Sequence, residues 1–289
     1  KLGIPPAWKD VWISPNPDSH VLCRGVDEAG RTQKIYHPRW VVAASKYKFD
    51  RIIEFGRRMP ALRQAVREDL SGNTLSKNRI IAGVLQLMDL RPIRVGSQES
   101  ANTYEHYGAT TLRKKHVKSL GTKNITLLFD GKHGVEHDIV VGHAELVRLF
   151  RQLVDQPGYE IFRYVDNNGA VRQINEGDIN EYLKKYLGDG FSVKDIRTWS
   201  GTVKAMEVLA SFRETTDIDQ RLVNLEQTFQ VVGEHLVNEP SESRDSYIHP
   251  DIVDAYEAGS LLDDLAPGRI DNSFWFSDSE RITLRFFNP

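Results

Sequence analysis

The spacing of apolar residues changes period near residue 47, and that change constrains the fold more than any other feature of the chain. Before it, short β-rich runs alternate with turn residues. Asp10-Val-Trp-Ile13 and His20-Val-Leu-Cys-Arg24 read as strands, separated by the turn Ser14-Pro-Asn-Pro-Asp18. Asp27-Glu-Ala-Gly30 reads as a hairpin turn into a third strand, Arg31 to Tyr36. Residues 1–46 are therefore expected to form a small antiparallel β domain.

From about Tyr47 the repeat becomes helical. Phe49, Ile52, Ile53 and Phe55-Gly56 lead to Met59-Pro60, where a new helix is expected to begin, since proline suits a first helical turn. Ala61, Leu62, Ala65, Val66 and Leu70 continue it, and Ser71-Gly72-Asn73 breaks it. Lys77 to Leu90 reads as a helix capped by Ser76. Ile125 to Phe129 and Glu136 to Val141 flank Asp130-Gly-Lys-His-Gly134 and read as a β-hairpin. Helices are expected at about His143 to Val154, Glu176 to Leu187, Val193 to Phe212 and Asp217 to Leu236, with a final one near Pro250. The class is α+β: a small antiparallel β N-terminal domain, then a mainly helical domain over residues 47–289 carrying one β-hairpin.

With 289 residues, 40% hydrophobic and 27% charged, the chain has ordinary globular composition. Its mean hydropathy is −0.44, and no run of about 18 apolar residues suggests a membrane span. Lys1 to Trp8 offers no apolar stretch of signal-peptide type. A single cysteine, Cys23, excludes an intramolecular disulfide and any multi-cysteine zinc site. These features fit a reducing, cytoplasmic setting. The net charge of −2 conceals an asymmetry. Residues 1–120 hold 21 Lys and Arg against 11 Asp and Glu, which leaves 17 against 29 for the remainder. A basic half points to a polyanionic partner, and the acidic segment after Phe212 is expected to lie away from it.

Common chemical signatures are missing. The sequence contains no Gly-x-x-x-x-Gly-Lys-Ser/Thr phosphate loop and no His-Glu-x-x-His motif. His133, His137 and His143 read as surface or core histidines around the hairpin rather than metal ligands. The informative residues are dispersed. Arg94 lies in Pro92-Ile-Arg-Val-Gly96, Lys132 at the hairpin tip, and Arg197 in Val193-Lys-Asp-Ile-Arg-Thr-Trp199. Asn238 and Pro240 precede Tyr247-Ile-His-Pro250.

Taken together these pieces resemble the small poxvirus-type and bacterial type IB DNA topoisomerases, over nearly the whole chain. Ile4-Pro-Pro-Ala-Trp8, Asp10-Val-Trp-Ile13 and Gly30-Arg-Thr-Gln-Lys-Ile-Tyr36 are similar to that family's N-terminal domain. Ile93-Arg-Val-Gly96, Tyr107-Gly-Ala-Thr-Thr-Leu-Arg-Lys-Lys-His116, Phe129-Asp-Gly-Lys132, Lys194-Asp-Ile-Arg-Thr198 and Val231-Val-Gly233 with Tyr247 resemble its catalytic motifs in order. The resemblance implies the tyrosine recombinase/type IB topoisomerase catalytic fold. It also implies relaxation of supercoiled double-stranded DNA through a 3′-phosphotyrosyl intermediate by a monomer, with neither metal nor other cofactor.

By this match Tyr247 is the nucleophile, Arg94 and Arg197 bind the scissile phosphate, and Lys132 is the general acid. Those residue types suit the chemistry. A free phenol titrates near 10, so attack at neutral pH needs cationic surroundings. Fixed arginine forks stabilise charge spread over the nonbridging oxygens. A 5′ alkoxide is a poor leaving group that an ammonium proton assists. The poxvirus-type pattern has His nine residues before the Tyr, where this chain has Asn238. Asn still donates a hydrogen bond to a phosphate oxygen but supplies no charge. His235 is out of register, and His249 reads as packing or capping.

Gln33 and Tyr36 match positions that contact DNA in the family, and Lys34 stands where poxvirus-type members carry an aromatic residue. Arg113, Lys114, Lys115 and Lys118 form a basic cluster before the hairpin, and Lys194 sits one turn before Arg197. All of these are DNA-contact candidates. The alternative is a tyrosine recombinase, which shares the Arg, Lys, Arg and Tyr logic. Recombinases usually place His three residues before the second Arg, where this chain has Lys194, and their N-terminal domain is typically helical.

Overall fold

A computed structural model describes residues 2–166, 168–213, 215–261 and 274–288. The chain separates into two compact units, Lys1–Arg51 and Ile52–Pro289. The division falls inside one helix, α1 (Pro38–Leu70), so neither the expected boundary at residue 46 nor the expected start at Met59-Pro60 is a break in the backbone. Helix α1 begins nine residues before the apolar repeat announces it, because Trp40, Val41 and Val42 in its first turns are 47–69% exposed. Pro60 sits in the interior of α1 and not at a start. Proline there forfeits one backbone hydrogen bond. Buried Ile52, Phe55 and Met59 before it and Leu62, Val66 and Leu70 after it hold both halves to one core.

The first unit carries an antiparallel sheet of β1 (Lys9–Ile13), β2 (Val21–Val26) and β3 (Thr32–Tyr36), with β2 central. Its tight turn is set by Asp27, whose Oδ1 accepts from the amides of Ala29 (3.0 Å) and Arg31 (2.9 Å), while Gly30 takes φ +76°. The Arg31 amide leads the interactions that hold the half-buried Asp27 carboxyl at about 2.

The second unit is mainly helical. After α1 come α2 (Lys77–Leu90) and the short α3 (Gln98–Thr103). Ser76 caps α2 as expected, its hydroxyl accepting from the Arg79 amide at 3.3 Å. A second antiparallel sheet orders β4 (Val117–Leu120), β5 (Ile125–Asp130) and β6 (Glu136–Val141), with β5 central. The sequence reading found β5 and β6 and missed β4. Next come α4 (Ala144–Val154), a ribbon of β7 (Arg163–Val165) and β8 (Val171–Gln173), and α5 (Glu176–Leu187). Then follow α6 (Val193–Ser211), α7 (Ile218–Leu236), α8 (Pro240–Tyr247), α9 (Pro250–Ala258) and α10 (Asp278–Phe286). The helix expected near Pro250 is therefore not the last.

Helix α6 is the axis of this unit. One side packs Ala205, Met206 and Leu209 with Leu225, Phe229, Val232 and Leu236 of α7 and with Ile252 and Tyr256 of α9. On another side the Trp199 ring lies so close to Gly56 of α1 that any larger residue at 56 would collide with it. Helix α10 is fastened by charge. The buried Glu280 carboxylate receives both Nη atoms of Arg63, each at 2.9 Å, and the Trp199 indole N–H at 2.9 Å. Arg63 is also held by Asp89, at 2.8 and 2.9 Å. In the C-terminal segment from Leu261 to Pro289, Phe276 is buried and Phe286 and Phe287 pack on the core, whereas Phe274 is exposed. Residues 262–273 of that segment lie outside the described residues.

Candidate active site

Four of the five candidate catalytic residues converge where the ends of α2, α7 and α8 meet α6. Helix α2 stops at Leu90, and buried Ile93 pins the following loop. The loop is fixed further by Ala109, whose amide donates to the Arg94 carbonyl at 2.8 Å, and by Thr110, whose amide donates to the Val95 carbonyl at 2.8 Å. Gly96 and Gly108 cross there at contact distance. A Cβ on Gly108 would lie 2.5 Å from the Arg94 oxygen.

Arg197 rises from α6 and is only 4% exposed. It donates through Nη2 to the Leu236 carbonyl at 2.9 Å and through Nη1 to the Pro92 carbonyl. One guanidinium thus joins the end of α7 to the loop that carries Arg94. Arg94 donates through Nη2 to the Asn238 side-chain oxygen and through Nη1 to the Val237 carbonyl at 3.5 Å. The chain turns sharply here because Val237 ends α7 in the left-handed region, at φ 53° and ψ 57°. A β-branched residue is strained in that conformation, by roughly 1–2 kcal/mol. The turn aims the Val237 carbonyl and the Asn238 side chain back at Arg94.

Tyr247 closes the cluster from the last position of α8. Its carbonyl accepts from the Thr202 hydroxyl at 3.1 Å, and Gly201 lets the two helices touch: a Cβ there would stand 2.8 Å from the same carbonyl. The Arg197 guanidinium lies 5.2 Å from the centre of the Tyr247 ring. Burial pushes the Arg197 pKa down from its ordinary value, the Tyr247 phenol draws it back up, and Arg94 adds to the depression.

Neither Arg94 nor Arg197 forms an ion pair with a carboxylate among the described residues. Within that set the Arg197 Nε and the Asn238 Nδ2 are buried donors with no partner. A buried cation without a counter-ion is expensive to keep. Buried Arg197 and half-buried Arg94, beside an orphaned amide donor, form a ready site for an anion with several acceptor oxygens.

Lys132 is exposed in the 3-10 turn Lys132–Gly134 between β5 and β6 and makes no hydrogen bond or ion pair among the described residues. The base of its hairpin lies within the field of the arginines. Buried His137 on β6 is pushed down to about 4, first by burial and then by Arg94 and Arg197.

The DNA-contact candidates divide. Lys194 is exposed and pairs with Glu176 at 3.2 Å, so it does not join Arg197. Lys114 donates to the Gln156 carbonyl, while exposed Lys115 lies 3.9 Å from Glu105 and over the Tyr107 ring. Arg113 reaches the Tyr107 hydroxyl at 3.2 Å, and Lys118 is exposed. In the first unit Lys34 and Tyr36 share the exposed face of β3, whereas Gln33 faces the other way and donates to Asp27 at 2.8 Å.

Among the described residues no group of His, Cys, Asp and Glu is placed to hold a metal ion, and no helix is long and apolar enough to cross a membrane. His143 caps α4, its Nδ1 accepting from the Leu146 amide at 3.3 Å, and His249 likewise caps α9 and packs on Phe287. His235, out of register for the phosphate, hydrogen-bonds Ser200 at 2.8 Å and is driven to about 4, chiefly by burial. Sequence reasoning did not anticipate the left-handed Val237, and it left His137 open between surface and core. No local signal marks either, since both follow from tertiary packing.

Comparison with known proteins identifies the family. Residues 41–259 match the family described as eukaryotic DNA topoisomerase I, catalytic core, and residues 1–27 match the bacterial DNA topoisomerase IB N-terminal domain. The chain is 30% identical over 264 residues to DNA topoisomerase 1B of Acanthamoeba polyphaga mimivirus, covering 89% of this chain and 78% of that protein. It is 24% identical over 181 residues to DNA topoisomerase 1 of Mycosarcoma maydis, covering 56% of this chain and 18% of that protein.

Proposed function

Since the chain belongs to the type IB DNA topoisomerase family, we propose that its cluster of unmatched cations around Tyr247 carries out reversible strand cleavage of duplex DNA. The Tyr247 phenolic oxygen attacks the scissile phosphorus. The P–O5′ bond breaks as the P–O(Tyr) bond forms, leaving a 3′-phosphotyrosyl enzyme and a free 5′ end. Lys132 gives an ammonium proton to the departing 5′ oxygen, and the phenolic proton passes to solvent. The nicked strand swivels, and the 5′ hydroxyl then attacks the phosphotyrosine to restore the original bond. One phosphodiester is exchanged for another of similar energy, so the cycle needs no ATP, and the cations of the chain take the role a metal would otherwise fill.

Arg94, Arg197 and the orphaned Asn238 amide fit the nonbridging oxygens of that phosphate. As charge grows there in the transition state, each such donor is worth about 10²–10³ in rate. The observation that carries this reading is that the two arginines beside Tyr247 face carbonyls and an amide, with no carboxylate bound to them among the described residues. Lys34 and Tyr36 on the exposed face of β3 are suited to the DNA backbone. The experiment is plasmid relaxation in EDTA without ATP. The wild-type protein relaxes both positive and negative supercoils, and Tyr247→Phe relaxes neither while still binding duplex DNA. Activity surviving that change would remove Tyr247 from the nucleophile's role.

A further inference from the structure

The hairpin that carries Lys132 stands on a column of rings. β5 and β6 pair with Phe129 opposite His137, and the two rings stack at 4.7 Å and 3°. On its other side Phe129 meets His116 at 6.0 Å, and His116 meets Tyr107 at 4.2 Å. The Tyr107 amide donates to the Asp130 carbonyl at 2.7 Å. The column thus ties the base of the hairpin to the segment that also holds the Arg94 loop.

Gly131 lies between this column and Lys132. Its backbone, at φ −89° and ψ −163°, is open to any amino acid, so conformation does not demand glycine. Space does: a Cβ on Gly131 would stand 2.5 Å from Nε2 and 2.7 Å from Cδ2 of His137. His137 is itself 4% exposed, and its Nδ1 has no hydrogen-bond partner among the described residues. Leaving a buried nitrogen unsatisfied is costly, so neither polarity nor hydrophobic burial explains an imidazole here. A flat five-membered ring under a residue without a side chain does.

We infer that His137 and Gly131 are positioning residues: the imidazole, stacked on Phe129, supports the Gly131 backbone and fixes the pivot from which Lys132 reaches the leaving 5′ oxygen. This rests on the role proposed above for Lys132. Displacing that pivot by about an ångström is expected to lower a proton-transfer rate on the order of 10²-fold. It leaves untouched any step that needs no proton from Lys132.

The test is single-turnover cleavage of two duplexes, one with an ordinary scissile phosphodiester and one with a 5′-bridging phosphorothiolate, whose thiolate leaves without protonation. Gly131→Ala is expected to slow the ordinary duplex about 10²-fold and to cleave the phosphorothiolate within about threefold of wild type. His137→Ala gives the same selective pattern. The double variant is no slower than His137→Ala alone, because the added methyl then has room and the two effects do not add. Gly131→Ser, with a larger side chain, repeats the selective loss at least as strongly and carries the test if His137→Ala proves too unstable to purify.

Lys132→Ala is run in parallel. If it is not rescued by the phosphorothiolate, the acid assignment falls and this inference with it. If it is rescued but Gly131→Ala is equally slow on both duplexes, or is as fast as wild type, the positioning role alone is overturned.

Discussion

Replacing Arg197 by methionine should separate stability from catalysis. The side chain is 4% exposed and has no carboxylate bound to it among the described residues. Keeping an unpaired cation at such depth costs several kcal/mol. The two carbonyls it binds, Pro92 and Leu236, return about 1.5–3 kcal/mol each as charge-assisted hydrogen bonds. The opposing quantities nearly cancel, and methionine restores most of the lost volume without a cavity. Arg197→Met is therefore expected to unfold within about 2 kcal/mol of wild type. Cleavage loses a fixed transition-state cation and should fall by at least 10²–10³, or about 3–4 kcal/mol of activation free energy. Equilibrium denaturation gives the first quantity, and single-turnover cleavage of a suicide duplex gives the second. A variant destabilised by more than about 4 kcal/mol, or one folded and still cleaving at near the wild-type rate, would refute the assignment of Arg197 as a phosphate ligand held at a cost.

Other predictions follow from the same structure. Glu280→Gln removes the carboxylate that Arg63 and Trp199 share and should destabilise the protein by about 3–5 kcal/mol, read as a shift in denaturation midpoint. His116 and His137 are both depressed to about 4, chiefly by burial, from an ordinary value of 6.5. The unfolded chain therefore takes up their protons first, and stability is full above about pH 6.5 and lost as pH falls towards 4. Urea midpoints across that range check the trend, and a flat profile contradicts it. Asn238→Ala should slow cleavage about 10²-fold. Asn238→His, which keeps an N–H donor, should retain most of the rate.

The elements legible in the sequence were those whose burial is periodic. The pattern in Ile80, Ile81, Val84, Leu85 and Met88 marks α2, and alternation marks β5, whose Ile125, Leu127 and Phe129 are buried. The start of α1 was hidden because its first turns expose their apolar residues, and Pro60 imitated a helix start that packing on both sides overrides. Strands β4, β7 and β8 are three or four residues long and largely polar, too short to show a period. Helix α10 did carry a signal: Ser277-Asp-Ser-Glu280 is a capping box, with the Glu280 amide donating to the Ser277 hydroxyl at 3.2 Å.

The candidate site was readable only as a set of motifs matched to a family. Spacing alone assigns neither arginine a role. What the sequence could not convey is that Arg197 is buried and bound to the backbone ends of two other elements. Nor could it place Lys194, one turn away, beside Glu176 rather than at the phosphate.

The most direct test of the central claim is mass spectrometry of the covalent complex trapped on a suicide duplex and digested to peptides. The account predicts one modified peptide, with the nucleotide joined through its 3′ phosphate to the phenolic oxygen of Tyr247. A nucleotide on any other side chain, or a 5′ linkage, would contradict it.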